Sequence, residues 1–167
     1  MRLIQECRPD DFKFMLDLIN QAAQVYKGKI PADRWAEPYM PVEELEHEIA
    51  SGVRFYGFEE NGRILGVMGI QEVGEVTLIR HAYVLPGRQN QGIGGKLIAH
   101  LKSLTRTPHI LVGAWAAATW AISFYEKLGF RLLSAEESRR LLKKYWSIPQ
   151  RQIETSVVLV YPTVYDP

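Results

Sequence analysis

The interpretation of this chain starts from a glycine-bearing stretch, Gln89-Asn90-Gln91-Gly92-Ile93-Gly94-Gly95-Lys96-Leu97. It follows an apolar run over residues 76–85 that is typical of a buried strand. It leads into a helical pattern whose apolar residues share one face: Ile93, Leu97, Ile98, Leu101 and Leu104. Glycine permits close backbone approach, and a helix start offers unpaired N–H groups and the positive end of a dipole. The order strand, turn, helix therefore predicts a site for a phosphate or pyrophosphate.

Three kinds of phosphate loop are candidates, and a short glycine-rich stretch by itself is often only a structural turn. A Walker A loop could be counted from Gly87 to Gly92, but Ile93-Gly94 stands where Lys-Ser or Lys-Thr is required. A dinucleotide fingerprint requires glycine where Leu97 stands. The third candidate is Gln-x-x-Gly-x-Gly after a strand ending in Val84-Leu85-Pro86. That pattern resembles the acyl-CoA pyrophosphate loop of the GNAT acetyltransferase superfamily.

A second stretch, residues 120–130, resembles the other signature of that family, a helix with Ala-Ile-x-x-Tyr that closes on Gly-Phe. Its apolar residues fall on one helical face, Ala121, Ile122, Tyr125 and Leu128. Gly129 suits a left-handed helix cap, and a strand is expected from Phe130. The chain departs from the family at Ala118, where an asparagine often contacts the pantetheine arm; Thr119 is the nearest polar substitute.

Periodicity and turn residues predict the remaining elements. Strands are expected over residues 3–6, 53–59, 63–73 and 109–114, and from Ile153 to Tyr161. Helices are expected over 9–26, over 42–51 with Leu45 and Ile49 inward, and over 134–146 from a capping box at Ser134. Asn61-Gly62 predicts a hairpin turn. The predicted fold class is α/β: a single GNAT-like domain over residues 1–167, with a mixed, mostly antiparallel twisted sheet and helices on both faces.

Composition narrows the function classes. The chain has 167 residues, 47% of them hydrophobic, which fits one globular domain. The formal charge of +1 and the lack of a basic stripe argue against a nucleic-acid partner. No apolar run approaches the ~20 residues of a membrane span. The start of the chain is strand-like rather than a signal peptide, and the single Cys7 suits a reducing compartment, so we expect a cytoplasmic protein without a metal site.

The resemblance implies transfer of an acetyl group from acetyl-CoA to an amine. By that resemblance the cofactor is held by the backbone of the loop, namely Gln89, Asn90, Gln91, Gly92, Ile93, Gly94 and Gly95. The thioester carbonyl is polarised by backbone N–H of the preceding strand, at Ala82, Tyr83 or Val84. Arg88 and Lys96 are expected to be solvated charges rather than specific phosphate ligands.

The reaction also requires two proton transfers. An alkylammonium with a pKa of about 10.4 costs about 4.6 kcal/mol to neutralise at pH 7, so a base is useful. The glutamate that some family members use falls at Leu78 here, which leaves His81, Glu72 and Glu75 as substitutes. In a regular strand His81 faces away from Leu78, Arg80 and Ala82 unless the strand bulges. Tyr125 matches the family's general acid for the departing thiolate.

The acceptor site is expected among aromatic residues: Tyr26, Trp35 and Tyr39 between the first two helices, and Trp115, with Trp120 near it, at a later strand end. Segment 134–152 either lines that site or buries its apolar residues against a second subunit in a homodimer. The leading hypothesis is an N-acetyltransferase for a primary amine of a small molecule or peptide. A non-catalytic acyl-CoA-binding regulatory module and a nucleotide-binding protein are the alternatives.

Overall fold

A computed structural model of the chain describes residues 1–162, and it contains seven strands. They are β1 (Arg2–Glu6), β2 (Arg54–Glu60), β3 (Arg63–Val73), β4 (Val76–Val84), β5 (His109–Trp115), β6 (Arg131–Leu132) and β7 (Ser156–Pro162). The seven strands form one sheet in the order β1-β2-β3-β4-β5-β7-β6. The pairs β1/β2, β2/β3, β5/β7 and β6/β7 are antiparallel. The predicted α/β class with a mixed sheet is therefore confirmed.

Five of the six helices of the described chain, α1 to α5, also lie close to predicted ones. They are α1 (Phe12–Ala23), α2 (Val42–Ala50), α3 (Ile93–Leu104), α4 (Thr119–Lys127), α5 (Ala135–Tyr145) and α6 (Gln150–Glu154). Short 3-10 turns extend α1 at both ends, over Pro9–Asp11 and Gln24–Tyr26. The predicted caps are present: Ser134 accepts a hydrogen bond from the Glu137 amide at 3.1 Å, and Gly129 has φ +93°.

Two expectations about these elements are wrong. The last strand was expected from Ile153, but Ile153 is buried in α6 and the strand begins at Ser156. Pro149 is the N-cap residue of this unpredicted helix. In α2, Leu45 is buried as expected, but Ile49 is 41% exposed and Glu48 is buried in its place. Glu48, three residues after Leu45, lies on the inner face of α2, whereas Ile49, four residues after Leu45, does not.

Backbone contacts divide the chain into two compact units. Unit 1 comprises residues 1–25, 36–71 and 79–104, and unit 2 comprises residues 26–35, 72–78 and the chain from Thr105 onward. A single domain over the whole chain stays a prediction. Each unit has its own apolar cluster, and the two are described separately below.

In unit 1, helices cover both faces of the strands. On one face α1 and α2 pack on β2 and β3 around Ile19, Leu45 and Val67. On the other face lies α3: an ideal Cβ on Gly66 of β3 would be 2.8 Å from Ile93 Cγ2. Gly66 therefore lets the first turn of α3 approach the sheet closely.

In unit 2, α5 and α4 lie on opposite faces of the strands. Leu142 is buried in the unit's own apolar cluster with Leu111 and Val158. On the α4 side, Tyr125 contacts the ring of Phe130, which contacts the ring of Tyr161 on β7. The apolar residues of segment 134–152 thus pack against this cluster, and a homodimer stays a prediction.

Candidate functional site

The loop between β4 and α3 is built from residues with positive φ and braced by one side chain. Gly87, Asn90 and Gly92 have φ of +85°, +65° and +80°. The Gln89 side chain accepts a hydrogen bond from the Gly87 amide at 2.9 Å and donates one to the Val84 carbonyl at 3.3 Å. The glutamine of the motif therefore fixes the path of the loop from within.

The loop delivers the chain into α3 with its amides available. The Lys96 amide donates to the Gly92 carbonyl at 3.0 Å and begins the helical ladder. The amides of Ile93, Gly94 and Gly95 precede it, and helix geometry gives such amides no partner within the helix. Ile93 is buried and anchors the helix start, whereas Asn90, Gln91 and Gly92 are exposed. The arrangement can accept an anionic group on the backbone.

The two cations of this region are engaged with unit 1 itself. Arg88 Nη1 lies 3.3 Å from Glu60 Oε2. Lys96 Nζ lies 5.8 Å from the centroid of the Phe58 ring, within reach of a cation–π contact. Both contacts agree with the expectation that neither residue is a dedicated phosphate ligand, an assignment that stays a prediction.

β4 is irregular at His81, one of the candidate general bases. His81 has φ +54°, which a regular strand does not adopt. Consecutive strand residues normally face opposite ways, yet Arg80 Nη1 lies 3.0 Å and His81 Nε2 lies 3.5 Å from the same Glu48 carboxylate. The backbone therefore turns at His81 and brings its ring to the side of Arg80. Ala82, Tyr83 and Val84 follow this turn and are half-buried.

The Glu48 carboxylate is held ionised by its neighbours. Burial by itself raises the pKa of Glu48. The contact with the His81 ring and the charge of Arg80 lower it by a larger amount, so the net pKa is below its usual range. Burial lowers the pKa of Arg80, and the charges of Glu48 and Glu44 oppose that effect. On the exposed side of α2, the surrounding protein raises the pKa of Glu44 by desolvation. The sequence analysis missed Glu48, and its only signal was a charged residue three positions after Leu45.

The other two candidate bases lie in unit 2. Glu72 is exposed near the end of β3. Glu75 accepts hydrogen bonds from Tyr145 and, at 3.2 Å, from Lys144. The Tyr145 hydrogen bond contributes most to lowering the pKa of Glu75 to about 2. A carboxylate held in this way has little affinity for a proton from an amine.

Leu78, at the position of the family's usual glutamate, is 0% exposed. No carboxylate is therefore available at that position of β4.

Tyr125 is the buried residue of α4, and rings surround it. Its ring centroid lies 5.1 Å from that of Phe124 and 5.6 Å from that of Phe130. Burial, followed by the neighbouring Tyr26, raises the pKa of the Tyr125 phenol. The phenol is therefore protonated throughout the neutral range, as a proton donor must be.

Of the predicted acceptor residues, the structure brings Tyr26 near the acid candidate. Its ring lies 6.1 Å from that of Trp120, which is 40% exposed. Trp115 is buried at the end of β5, and Trp35 and Tyr39 are half-buried. Arg151 of α6 holds the segment next to Trp35 through Asp33, with N···O distances of 2.8 and 3.2 Å. The sequence did not predict this ion pair, because 118 residues separate its partners.

A cavity of about 520 Å³ in unit 1 contains none of the predicted acceptor residues. Its wall includes Phe12 of α1, Ile49 of α2 and Phe55 of β2. The Phe55 ring also stacks on His81, with centroids 6.1 Å apart and planes 27° apart. The cavity therefore shares one wall residue with the environment of His81.

Residues 1–162 lack both a metal-binding cluster and a helix able to span a membrane. No group of three or more His, Cys, Asp or Glu residues there is placed to hold a metal ion. Nor does any helix of the described chain combine the length and apolarity needed to cross a membrane.

Comparison with known proteins places this geometry in a family. The model of the acetyltransferase (GNAT) domain matches residues 51–132, from β2 to β6. No curated protein sequence matches the chain. Three solved structures share its fold at low identity: a GNAT-family acetyltransferase from Staphylococcus aureus, the ribosomal-protein-S18-alanine N-acetyltransferase from Escherichia coli, and the PaiA N-acetyltransferase from Thermoplasma acidophilum in complex with coenzyme A.

The likeness extends over nearly the whole of each chain. The S. aureus protein is 19% identical with a TM-score of 0.72, covering 97% of this chain and 99% of its own. The E. coli protein is 16% identical with a TM-score of 0.68, covering 100% and 97%. The T. acidophilum protein is 13% identical with a TM-score of 0.73, covering 97% and 99%. Both motifs lie inside residues 51–132, so this part of the chain carries a GNAT acetyltransferase domain.

Proposed function

We propose that this protein transfers the acetyl group of acetyl-CoA to a primary amine of a small molecule or peptide. The observation that carries the proposal is the braced loop from Gln89 to Gly95, which opens α3 directly after the turn in β4. The solved relatives include one with coenzyme A bound and one from Elizabethkingia anophelis with acetyl-CoA bound. The loop supplies amides for the pyrophosphate of such a cofactor without a cationic side chain.

The chemistry requires a polarised carbonyl and two proton transfers. Backbone N–H groups at Ala82, Tyr83 or Val84 polarise the thioester carbonyl just after the turn at His81. The amine attacks the carbonyl carbon, the new C–N bond forms, and the C–S bond breaks. His81 takes the proton of the amine, with Glu72 as the alternative base, and Tyr125 protonates the departing thiolate.

Protonation of the departing thiolate by Tyr125 is the more demanding of the two proton transfers. A tyrosine with a pKa of about 10 is a weaker acid than a thiol of about 8.5, so the transfer is uphill by about 2 kcal/mol in water. A dry site raises the proton affinity of the thiolate and reduces this difference. The buried, ring-lined environment of Tyr125 supports that role.

The acceptor side of the proposal rests on aromatic side chains. Tyr26, Trp35, Tyr39 and Trp115 are the proposed acceptor-binding residues. Tyr26, with Trp120, offers ring faces that attract an ammonium group before it loses its proton. The E. coli relative acts on a ribosomal-protein alanine, so a peptide N-terminus belongs in the acceptor panel beside small alkylamines.

The competing function is an acyl-CoA-binding module without turnover, which the buried Leu78 at the usual base position favours. Steady-state release of free CoA over a panel of peptides and alkylamines separates the two. Burial, aided by nearby Asp11, Glu59 and Glu6, raises the pKa of the Cys7 thiol to about 12, so the protein's own thiol adds little background to thiol detection. Acetyl-CoA binding without CoA release for any amine would favour the module.

Cofactor binding itself is tested by Gly94→Glu. The substitution places a side chain and a like charge beside the pyrophosphate position, and calorimetry should show at least a tenfold loss of acetyl-CoA affinity. Ala99→Glu, on the exposed side of the same helix, adds the same charge away from the loop and should bind normally. Unchanged affinity in Gly94→Glu would end the proposed binding mode.

A further inference from the structure

The inference concerns Glu48, a buried carboxylate that the proposed reaction has not used so far. It lies on α2 and is 9% exposed, whereas its neighbour Ile49 is 41% exposed. Burying a carboxylate is unfavourable unless it is paired and hydrogen-bonded. An apolar residue was available one position along the helix, so α2 is oriented to place the carboxylate, and not the isoleucine, against β4.

Glu48 contacts two consecutive residues of β4. Arg80 Nη1 lies 3.0 Å from Oε2, Arg80 Nη2 lies 3.3 Å from Oε1, and His81 Nε2 lies 3.5 Å from Oε1. An ion pair with Arg80 alone would not require the positive φ of His81. A non-glycine residue in that conformation is disfavoured by about 1–3 kcal/mol and persists only where the surroundings enforce it. The turn in β4 is what brings the imidazole to the carboxylate.

Neighbouring elements fix this turn and the ring. An ideal Cβ on Gly69 of β3 would lie 2.9 Å from the Arg80 carbonyl oxygen, so glycine is needed where the backbone bends. Phe55 of β2 stacks on the imidazole. His81 Nε2 is buried and makes no hydrogen bond of normal geometry, although Glu48 Oε1 lies 3.5 Å away. The ring is therefore held with one nitrogen toward the carboxylate.

We propose that Glu48 is the positioning residue for His81: it holds Nε2–H toward its carboxylate and leaves Nδ1 as the nitrogen that accepts the proton of the amine. The inference rests on the proposed acetyl transfer. In a neutral imidazole one nitrogen donates and the other accepts, so fixing the donor also fixes the base. The attacking amine loses its proton to Nδ1, directly or through a water molecule, while the C–N bond forms and the C–S bond breaks. The thiolate takes the Tyr125 proton; afterwards His81 releases its proton to solvent and Tyr125 regains one.

Glu48 also stabilises the charge that this step creates. A carboxylate beside an imidazole favours the imidazolium form. The other charged groups around the ring are Arg80 on its own strand, which opposes the imidazolium, and Glu44 and His47 on α2. Gln71 of β3 accepts a hydrogen bond from Arg80 at 3.4 Å and contributes no charge. Glu48 contacts both Arg80 and His81, so we assign to it the orientation of the base His81.

The test compares Glu48→Gln, Glu48→Asp and His81→Gln with wild type, using acetyl-CoA and whichever panel amine is turned over best. Glu48→Gln should lower kcat about tenfold, less than the ~10²–10⁴-fold that loss of the base itself costs, with acetyl-CoA affinity within twofold of wild type. Glu48→Asp should recover part of the activity, and Glu48→Gln added to His81→Gln should have less than a twofold further effect.

Two further variants separate positioning from folding. Glu48→Gln combined with Arg80→Met removes the ion pair without leaving an unpaired buried charge, and it should show the same loss of kcat. Glu43→Gln removes an exposed carboxylate from the first turn of the same helix and should behave as wild type. A wild-type kcat in Glu48→Gln, fully multiplicative effects of the Glu48→Gln and His81→Gln substitutions, or normal turnover by His81→Gln would each overturn the proposal.

A readout without turnover keeps this inference separate from the proposed function. Long-range ¹H–¹⁵N NMR of the imidazoles at pH 8, assigned with His81→Gln, should show His81 as the Nε2–H tautomer, with that preference weakened in Glu48→Gln. An Nδ1–H tautomer in wild type would overturn the proposal even if the enzyme acetylates amines. The predicted tautomer in a protein that turns over no amine would uphold the positioning and refute acetyl transfer.

Discussion

Each unit buries one ionisable residue of the proposed reaction, and the surroundings of the two residues are opposite. In unit 1, Glu48 lies among charges, and its pKa falls below the usual range although burial by itself would raise it. In unit 2, Tyr125 lies among rings, and burial raises its pKa. Unit 1 therefore stabilises an ionised group and unit 2 a neutral one. An ionised carboxylate can orient the donor side of the His81 ring, whereas a neutral phenol can donate a proton.

The largest effect that this contrast predicts is that of Tyr125→Phe. The change keeps the ring and its packing against Phe130 but removes the hydroxyl, so kcat should fall about 10- to 100-fold or more. Acetyl-CoA affinity and the melting temperature should change little, because packing resides in the ring. The measurement is steady-state CoA release beside calorimetry and thermal unfolding.

Tyr161→Phe is the matched control, since it removes another phenol of the same aromatic cluster. Normal turnover by Tyr125→Phe with an established acceptor would make Tyr125 a core residue. The contrast between the units would then concern stability alone.

The second prediction concerns steric crowding at one glycine of each unit, Gly66 in unit 1 and Gly113 in unit 2. A Cβ on Gly66 would lie 2.8 Å from Ile93 Cγ2 and 3.3 Å from Leu97 Cδ1, so Gly66→Ala should displace the start of α3. Overpacking of this kind costs about 1–3 kcal/mol of unfolding free energy, and acetyl-CoA affinity should fall with it. Urea unfolding and calorimetry measure the two consequences.

Gly113→Ala provides the control in unit 2. Its Cβ would lie 3.5 Å from the nearest atom, in the Trp146 ring, which is ordinary contact, so stability and affinity should stay near wild type. Equal destabilisation by the two substitutions would mean that the close approach of α3 to Gly66 is not the constraint we infer.

The same comparison shows what the sequence can predict. The loop from Gln89 to Gly95 was predictable because its determinants are local: turn residues, a helix pattern and a glutamine that braces its own loop. The hairpin at Asn61-Gly62 and the cap at Ser134 were predictable for the same reason. Nearly every element of the sheet followed from periodicity and such turns.

The Glu48 cluster could not be predicted, because no local pattern encodes it. It depends on the rotation of α2 about its axis by one residue and on a turn within β4, and 32 residues separate Glu48 from Arg80. Strand alternation placed His81 on the wrong side for the same reason: the rule assumes a regular strand, and φ at His81 is +54°. The pairing of Asp33 with Arg151 is also long-range, and α6 was too short to be detected.

A third effect, on stability against pH, tests the electrostatic side of the contrast. The folded state lowers the pKa of Glu48, so its contribution is complete above the unfolded value of about 4.3 and is lost as the pH falls through the folded pKa. The folded state raises the pKa of Tyr125, so its contribution is complete below about pH 10 and is lost as the pH rises beyond that value. One unit should therefore lose stability in acid and the other in alkali.

Melting temperatures between pH 3 and pH 11 measure both losses. The deficit of Glu48→Gln against wild type should shrink towards acid, where wild type loses the same interaction. Tyr125→Phe should become the more stable protein above about pH 10, because it has no phenol to ionise. A Glu48→Gln deficit that is constant down to pH 3 would show that the carboxylate is not held ionised by the fold.

The smallest effect concerns the two cations beside the loop. Arg88 is paired with Glu60, and Lys96 lies over Phe58, so neither is free to be a dedicated phosphate ligand. Exposed charges are screened by salt, whereas the backbone amides cannot be removed by side-chain substitution. Arg88→Ala and Lys96→Ala should each reduce acetyl-CoA affinity by about 1 kcal/mol or less, and Lys13→Ala, an exposed cation on α1, should have no effect. A hundredfold loss of acetyl-CoA affinity in Lys96→Ala, measured by calorimetry, would contradict this prediction. It would mean that unit 1 holds the cofactor by a charged side chain rather than by the backbone amides of the loop.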